Sequence, residues 1–322
     1  MLRRRFMVKL ILLLVWVLCL GGCSSEPAYK GQPRLVVSNY NYQGAPVQVG
    51  LEHIPEKALV CGEGGVETLI ALGAQSHIKA ALIRDKAFLK RHGDKLNHAA
   101  IYSHPLGAEE ALHLQPDFIL GWRRYFSPKA LGDTVNWHRR GIPAYIQDAS
   151  GPIPALGPFP PCTIASEKNF IKNMGKIFAK EKEAQQLITA IDNTLDQYKQ
   201  AQGPSVLVVE FLGRSIEVFG RELLAGDIIT RLGGRLIETD QPFISKETLV
   251  NLRPQVIILV YHGQEQEKQL ALAQMQQHLY RHLPAVQQQR LYPIEYNHLV
   301  APGSGVKKTI ELLGQALYTA SM

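Results

Sequence analysis

EKEAQQLITAIDNTLDQYKQA, residues 181–201, is the stretch whose reading decides the architecture. Ala184, Leu187, Ile188, Ile191, Leu195 and Tyr198 recur at three- and four-residue steps. That spacing puts them on one stripe of a 3.6-residue helix, with Lys, Glu, Gln and Asp on the other faces. At about 1.5 Å per residue the stretch spans roughly 30 Å, the width of a small domain. Breakers bracket it: Pro152, Pro154, Pro158, Pro160 and Pro161 upstream, Gly203-Pro204 downstream. With an α/β half on each side, it reads as a rigid strut between two lobes. An ordinary surface helix of one domain would carry the same stripe.

Working outward, short apolar runs alternate with helical patterns. The expected strands are 58–61, 78–83, 118–121 and 144–146 in the first half, and 206–211, 256–260 and 290–294 in the second. Runs that are apolar on both faces and separated by helices predict mostly parallel sheets covered on both sides. The halves also echo each other. Glu109, Leu114 and Pro116 overlie Glu247, Leu252 and Pro254, with an apolar strand two residues further on in each case. An earlier helix in each half ends in Leu-Gly-small, at Leu72-Gly73-Ala74 and Leu232-Gly233-Gly234, where Gly suits the left-handed residue that closes a helix. Repetition in the same order favours duplicated lobes over chance use of common α/β grammar.

The chain has 322 residues, 46% of them hydrophobic, and a net charge of +7. Arg3, Arg4, Arg5 and Lys9 lie in the first 22 residues, which hold no acid, so removing that segment leaves +3. No basic run or interleaved aromatic stripe occurs elsewhere, which argues against nucleic acid as a partner. The apolar run at 10–20 is too short to span a bilayer and suits the core of a signal peptide. Leu20-Gly21-Gly22-Cys23 follows, resembling a bacterial lipobox in which Cys23 becomes the acylated first residue. The protein is therefore expected to be exported and held on the cell membrane by its acyl chains, facing the periplasm or outer surface. Of the remaining cysteines, Cys61 and Cys162, buried thiols are favoured over a disulfide.

Catalytic signatures are missing: there is no G-x-S-x-G, H-E-x-x-H, Walker loop or dinucleotide fingerprint. Gly62-Glu63-Gly64-Gly65 follows a strand and opens a helix, and reads most simply as a tight turn. His92, His98 and His104 fall close together without a matching acid pattern and read as surface histidines. No metal site and no cofactor are expected. Attention therefore falls on the carboxyl ends of the strands, where open α/β sheets hold ligands. There the first half offers Arg84, Asp85, Tyr102, Ser103 and His104, then Trp122, Arg123, Arg124 and Tyr125. In the second half these are Phe211, Arg214, Arg221 and Phe243, then Tyr261 and His262. Aromatics with arginines suit a large, flat, partly anionic ligand.

The ordered set of motifs resembles the substrate-binding proteins of ABC importers for ferric siderophores, haem and cobalamin. The resemblance runs from Pro46 to Leu317. It rests on Pro55-Glu56-Lys57-Ala58-Leu59-Val60 leading into Glu67-Thr68-Leu69-Ile70-Ala71-Leu72-Gly73, the segment from Glu109 to Asp117, and Pro158-Phe159-Pro160-Pro161-Cys162-Thr163. It continues in Ser245-Lys246-Glu247-Thr248-Leu249, Leu283-Pro284-Ala285-Val286 and Pro302-Gly303-Ser304. The resemblance implies an α/β fold of two Rossmann-like lobes with mostly parallel sheets, joined by one long rigid helix. Apolar spacing alone would let a single helix run from 166 to 201; the family breaks it near Ala179-Lys180, and that break is expected here.

The implied organisation is a signal peptide at 1–22, a lipidated tether at 23–45 and an N-terminal lobe at 46–162. Linking helices follow at 163–202, with the backbone helix at about 181–201, then a C-terminal lobe at 203–322. By motif position, Glu109 and Glu247 are the glutamates that dock into arginine pockets of the permease; helix-dipole compensation would place acids there too. Trp122 and Phe211 match pocket positions of cobalamin binders, whereas Ser103 and Gln241 stand where tryptophans would be expected. Arg123-Arg124 suits anionic ferric siderophores. The expected ligand-binding set is Trp122, Arg123, Arg124, Tyr102, Phe211, Arg214, Arg221, Phe243 and Tyr261. The expected protein is a monomeric, non-enzymatic receptor passing an iron chelate, placed just ahead of a corrinoid or haem, to an ABC permease dimer with its ATPase. An exported metal-dependent hydrolase is the rival of another class, and a sensor or adhesion module without a permease is a third reading.

Overall fold

The apolar runs pair into one sheet for each half of the chain. The computed structural model describes residues 33–147, 160–300 and 302–319. The signal peptide, Cys23 and most of the proline-rich stretch lie outside the described residues. In the first half, β1 (Leu35–Tyr40) and β2 (Pro46–Leu51) form an antiparallel hairpin. Then come β3 (Ala58–Cys61), α1 (Glu63–Ala71), β4 (Ile78–Leu82), α2 (Lys86–His92), β5 (Ala100–Tyr102) and α3 (Ala108–His113). β6 (Phe118–Gly121), α4 (Thr134–His138) and β7 (Ala144–Ile146) complete the half. The sheet order is β5-β4-β3-β6-β7, all parallel, so the winding direction reverses between β3 and β6. Such a switch point opens a crevice at the carboxyl ends of those two strands.

Two helices link the halves, α5 (Ile164–Ile177) and α6 (Glu181–Tyr198). The second half runs β8 (Ser205–Leu212), β9 (Ser215–Val218), α7 (Leu224–Arg231), β10 (Arg235–Leu236), β11 (Phe243–Ile244) and α8 (Lys246–Leu252). It continues with β12 (Val256–Tyr261), α9 (Glu265–Gln274), α10 (Pro284–Gln287), β13 (Leu291–Glu295), α11 (Tyr296–Val300) and α12 (Val306–Tyr318). Here β10, β8, β12 and β13 are parallel, and β9 and β11 extend the sheet antiparallel. The mostly parallel expectation holds, with an antiparallel edge: Gly213 (φ 66°) lets β8 fold straight back into β9. A second switch point lies between β8 and β12.

The internal echo extends to backbone dihedrals. Gln115 and Arg253, each just before the matched proline, take left-handed φ of 50° and 46°. Gly73 and Gly233 are left-handed too, at 70° and 93°, and Ala74 and Gly234 donate back to the carbonyls of Leu69 and Ile229. Proline disfavours a right-handed helical residue before it, so each helix ends at the same point of its unit.

Residues 35–45 were expected as tether; they instead form β1 and its turn. Asn39 makes this possible by acting as a strand edge: its Nδ2 donates to Ile146 O at 2.9 Å and its Oδ1 accepts from Ile146 N at 2.8 Å. The otherwise open edge of β7 is thereby covered. The linker breaks where the family resemblance implied. Ala179 adopts φ 53°, and Lys180 N donates to Gly175 O at 2.7 Å, closing α5 and turning the chain into α6. α6 stops at Tyr198 rather than 201, since Lys199 is already extended and Gln200 N donates to Leu232 O.

Every residue of the expected stripe packs inward, with Ala184 and Ile191 buried and Leu187, Ile188, Leu195 and Tyr198 against them. α5 touches β1 and α1 of the first lobe and also α7 and the turn Gly303–Gly305 of the second. One apolar cluster therefore runs from Val37 to Leu317 beneath both lobes, and a second fills the far side of the β8–β12 sheet. Cys61 and Cys162 are buried and not joined by a disulfide. Burial pushes the Cys61 thiol up to about 12.

The tightest point is where α5 meets α6: a Cβ on Gly175 would lie 2.5 Å from Ala184 Cβ. Overpacking a seam of this kind costs about 1–3 kcal/mol. Gly175→Val is expected to lower unfolding stability by that amount in urea titrations, with an unchanged denaturant slope.

Candidate functional site

The two switch points face one cleft of about 670 Å³. The first lobe lines it with Glu63 after β3, Arg84, Asp85 and Lys86 after β4, and Trp122, Arg124 and Tyr125 after β6. The second contributes His262, Gly263 and Gln264 after β12, and Glu295, Tyr296 and Asn297 at the end of β13. A cleft of this size, with aromatic walls and a few fixed polar groups, suits a small-molecule ligand.

Glu63 is set by the turn that opens α1. Gly62 takes φ 118°, leaving room for Tyr125 and Trp122, whose atoms lie 3.6 and 3.7 Å from where a Cβ would sit. Glu63 Oε1 then accepts from the N–H groups of Arg84 (2.7 Å) and Asp85 (3.0 Å), tying the loop after β4 to the helix start. Trp122 is held by its indole N–H, which donates to Gln147 Oε1 at 3.0 Å. The Arg124 guanidinium lies over that indole, 4.5 Å from the ring centroid, and 5.9 Å from the Tyr125 centroid.

On the opposite wall the His262 ring stacks against Tyr296, with centroids 4.7 Å apart. His262 Nε2 lies 3.0 Å from Glu210 Oε1, and its backbone N–H donates to Glu267 Oε2 at 3.0 Å. Hydrogen bonding to Glu210 raises the imidazole above its ordinary range. Glu295 Oε2 accepts from Asn297 N at 2.9 Å. Burial pushes the Glu295 carboxyl up to about 7; the charges of Asp85 and Glu63 across the cleft act in the same sense. Arg84, Lys86 and Arg124 thus share the cleft with Glu63 and Asp85, and with Glu295 partly protonated near neutrality the cleft carries a small positive excess.

Of the expected ligand-binding residues, Trp122 and Arg124 line this cleft. Phe211 and Tyr261 line a separate hollow under α9. Arg123 does not reach either space. It is fully buried and its Nε donates to Tyr42 O at 2.7 Å, anchoring the turn of the β1–β2 hairpin. Tyr102 lies on the edge strand β5 against His104. Arg214 is exposed at the β8–β9 turn, Arg221 is exposed and paired with Glu238, and Phe243 is half-exposed on β11. Glu295, Tyr296 and Asn297 were not anticipated, although the strand-end rule that found Trp122 and His262 finds them when applied to β13. Glu109 and Glu247 are both exposed in the first turns of the matched helices α3 and α8. Glu247 is held below the usual carboxylate range by its own backbone N–H and the Ser245 hydroxyl.

A family model described as periplasmic binding protein matches residues 64–296, most of both lobes and all of the cleft lining but Glu63 and Asn297. The chain belongs to the periplasmic binding protein family. A periplasmic binding protein from Veillonella parvula is similar at TM-score 0.80 and 24% identity, over 92% of this chain and 95% of that one. An Fe3+-hydroxamate ABC-type transport protein from Saccharomonospora viridis is similar at TM-score 0.70 and 18% identity, over 88% and 98%. The petrobactin-binding protein YclQ from Bacillus subtilis is similar at 0.66 and 17%, over 89% and 100%. A search of curated protein sequences finds no match. Among the described residues of this periplasmic binding protein, no helix is long and apolar enough to cross a membrane.

The Glu295 carboxyl makes a pH prediction. Its folded-state value, about 7, lies above its ordinary 4.5, so the folded protein keeps a proton that the unfolded chain loses first. The resulting stability is present below the ordinary value and is lost as pH rises through the folded one. Glu295→Gln is expected to flatten the fall in stability between those two values in denaturation series. An unchanged slope would place the titration elsewhere.

Proposed function

We propose that this periplasmic binding protein captures a ferric siderophore or related metal chelate in the inter-lobe cleft and delivers it to an ABC permease. The observation that carries the reading is the cleft itself. Its aromatic side chains Trp122, Tyr125 and Tyr296, with Arg124 laid over the indole, give a rigid, partly apolar and partly cationic lining that suits a rigid ligand of mixed character. Its charge excess is small, which favours a chelate of low net charge, such as a ferric hydroxamate, over a strongly anionic one. With Arg123 committed to the hairpin turn, only one arginine of the expected pair remains for the ligand. The Saccharomonospora viridis and Bacillus subtilis proteins, one described for Fe3+-hydroxamate and one for petrobactin, support iron-chelate chemistry as the starting point. The lipobox ending in Cys23 supports export and anchoring by acyl chains, and the exposed acids Glu109 and Glu247 support docking of one permease dimer by one receptor.

The test is a tryptophan-fluorescence titration of the exported portion, from Ser24 onward, with ferric hydroxamates, ferric catecholates, haemin and cobalamins. Trp122 and Trp137 are then the reporters; Trp137 is buried with its N–H donating to Leu131 O. Saturable quenching by one class, lost in Trp122→Phe, is the expected outcome, with hydroxamates ahead of catecholates. No response to any class would overturn the reading. Docking is tested separately by replacing Glu109 and Glu247 with Ala. Truncating one partner of a buried charge pair costs about 2–5 kcal/mol. Uptake is therefore expected to fall more than about tenfold with ligand affinity unchanged, and intact uptake would remove both residues from the docking role.

A further inference from the structure

A second hollow of about 340 Å³ lies between the β8–β12 sheet and α9. It arises from strand alternation. Phe211 points to the α9 face of the sheet with Leu207 and Val209, Tyr261 follows Ile257 and Leu259 by the same alternation, and Glu210 and His262 border the hollow at the strand ends. At this point α9 presents the small, buried Ala271, while the next residue, Leu272, packs on the apolar cluster of that sheet face. Leu270, 56% exposed, stands at the lip with its apolar side chain in water. At about 340 Å³ the hollow is roughly half the size of the cleft.

His262 is the shared wall. It lines both spaces, stacks on Tyr296 toward the cleft, and is fixed by Glu210 and Glu267 at the mouth of the hollow. The two cavities are therefore adjoining compartments at one switch point, the larger polar and aromatic, the smaller lined by Phe211, Tyr261, Leu270 and Ala271 together with the polar Glu210, Glu267 and Gln274. We propose that the hollow under α9 is a second subsite, taking an apolar arm of a chelate whose iron-bearing head occupies the cleft. This rests on the chelate-receptor reading and deepens it: the ligand is bipartite, with a polar head and a short acyl or aromatic extension passing His262. Phe211 and Tyr261 are then specificity residues for the arm, while Trp122 and Arg124 serve the head.

The test compares two ferric trihydroxamates with the same iron-binding groups, one bare and one carrying a medium-length acyl chain, by Trp122 fluorescence. Ala271→Phe fills the hollow from α9, and Leu270→Asp, at an exposed position that folding tolerates, makes its lip polar. The expected result is that wild-type protein binds the acylated chelate about tenfold more tightly, as burial of a few methylenes allows. That advantage should vanish in Ala271→Phe and shrink in Leu270→Asp, with binding of the bare chelate unchanged in both. Equal affinities for the two chelates in wild-type protein, or an advantage that survives both variants, would overturn the subsite and leave the cleft reading standing. Failure of wild-type protein to bind either chelate would overturn the receptor reading and the subsite together.

Discussion

Everything in this fold leans on the close approach of α5 and α6 at Gly175 and Ala184. Because no side chain separates the helices there, both can lie over the seam between the lobes and seal a single apolar cluster beneath them. A second contact reinforces it. Gly303, left-handed at φ 59°, packs directly on Thr68 and Gly64 of α1, and Ser304 N donates to Thr68 Oγ1 at 2.9 Å. The carboxyl-terminal segment thus grips a helix of the opposite lobe. The lobes are set at a fixed distance by packing, and the cleft is the gap that this packing leaves at the strand ends.

Charge and shape in the cleft then follow from competing uses of neighbouring residues. Arg123 and Arg124 are adjacent in sequence, yet one is spent inside the protein holding the Tyr42 carbonyl and the other lies on Trp122 at the cleft wall. The short helical turn after β6 sends consecutive side chains in different directions, so only one of the two can face the gap. Across from them Glu295 is kept partly out of water beside other acids, and it holds its proton toward neutrality.

Much of the fold was legible because parallel central strands are apolar on both faces. β3, β6 and β7 stand at the residues expected, and the duplicated helix–Pro–strand unit could be read from Glu109 and Glu247 onward. What escaped were edges. β5, β9, β10 and β11 are short and partly exposed, so their apolar content falls below that of a buried run, and β1 carries exposed Val36 among its apolar residues. The site was legible only as a set of strand ends. Position at a strand end says nothing about which face a side chain takes, and a shift of one residue reverses it. Phe211 and Tyr261 therefore went to the hollow, while His262, next in the chain, borders both spaces. Arg221 and Phe243 belong to the β9–β11 side of the sheet, away from both switch points.

The seam at Gly303 and Thr68 bears on how such a molecule could report that it is loaded. Receptors hinged between their lobes announce occupancy by shutting, and a membrane partner can read the shut form. Here the lobes are bonded through a common interior, and a ligand has little differential energy with which to move them. On the proposed receptor function, empty and filled molecules would present nearly the same outline. Discrimination between them falls to whatever part of the ligand remains visible at the mouth of the cleft, or to small adjustments of the loops that frame it.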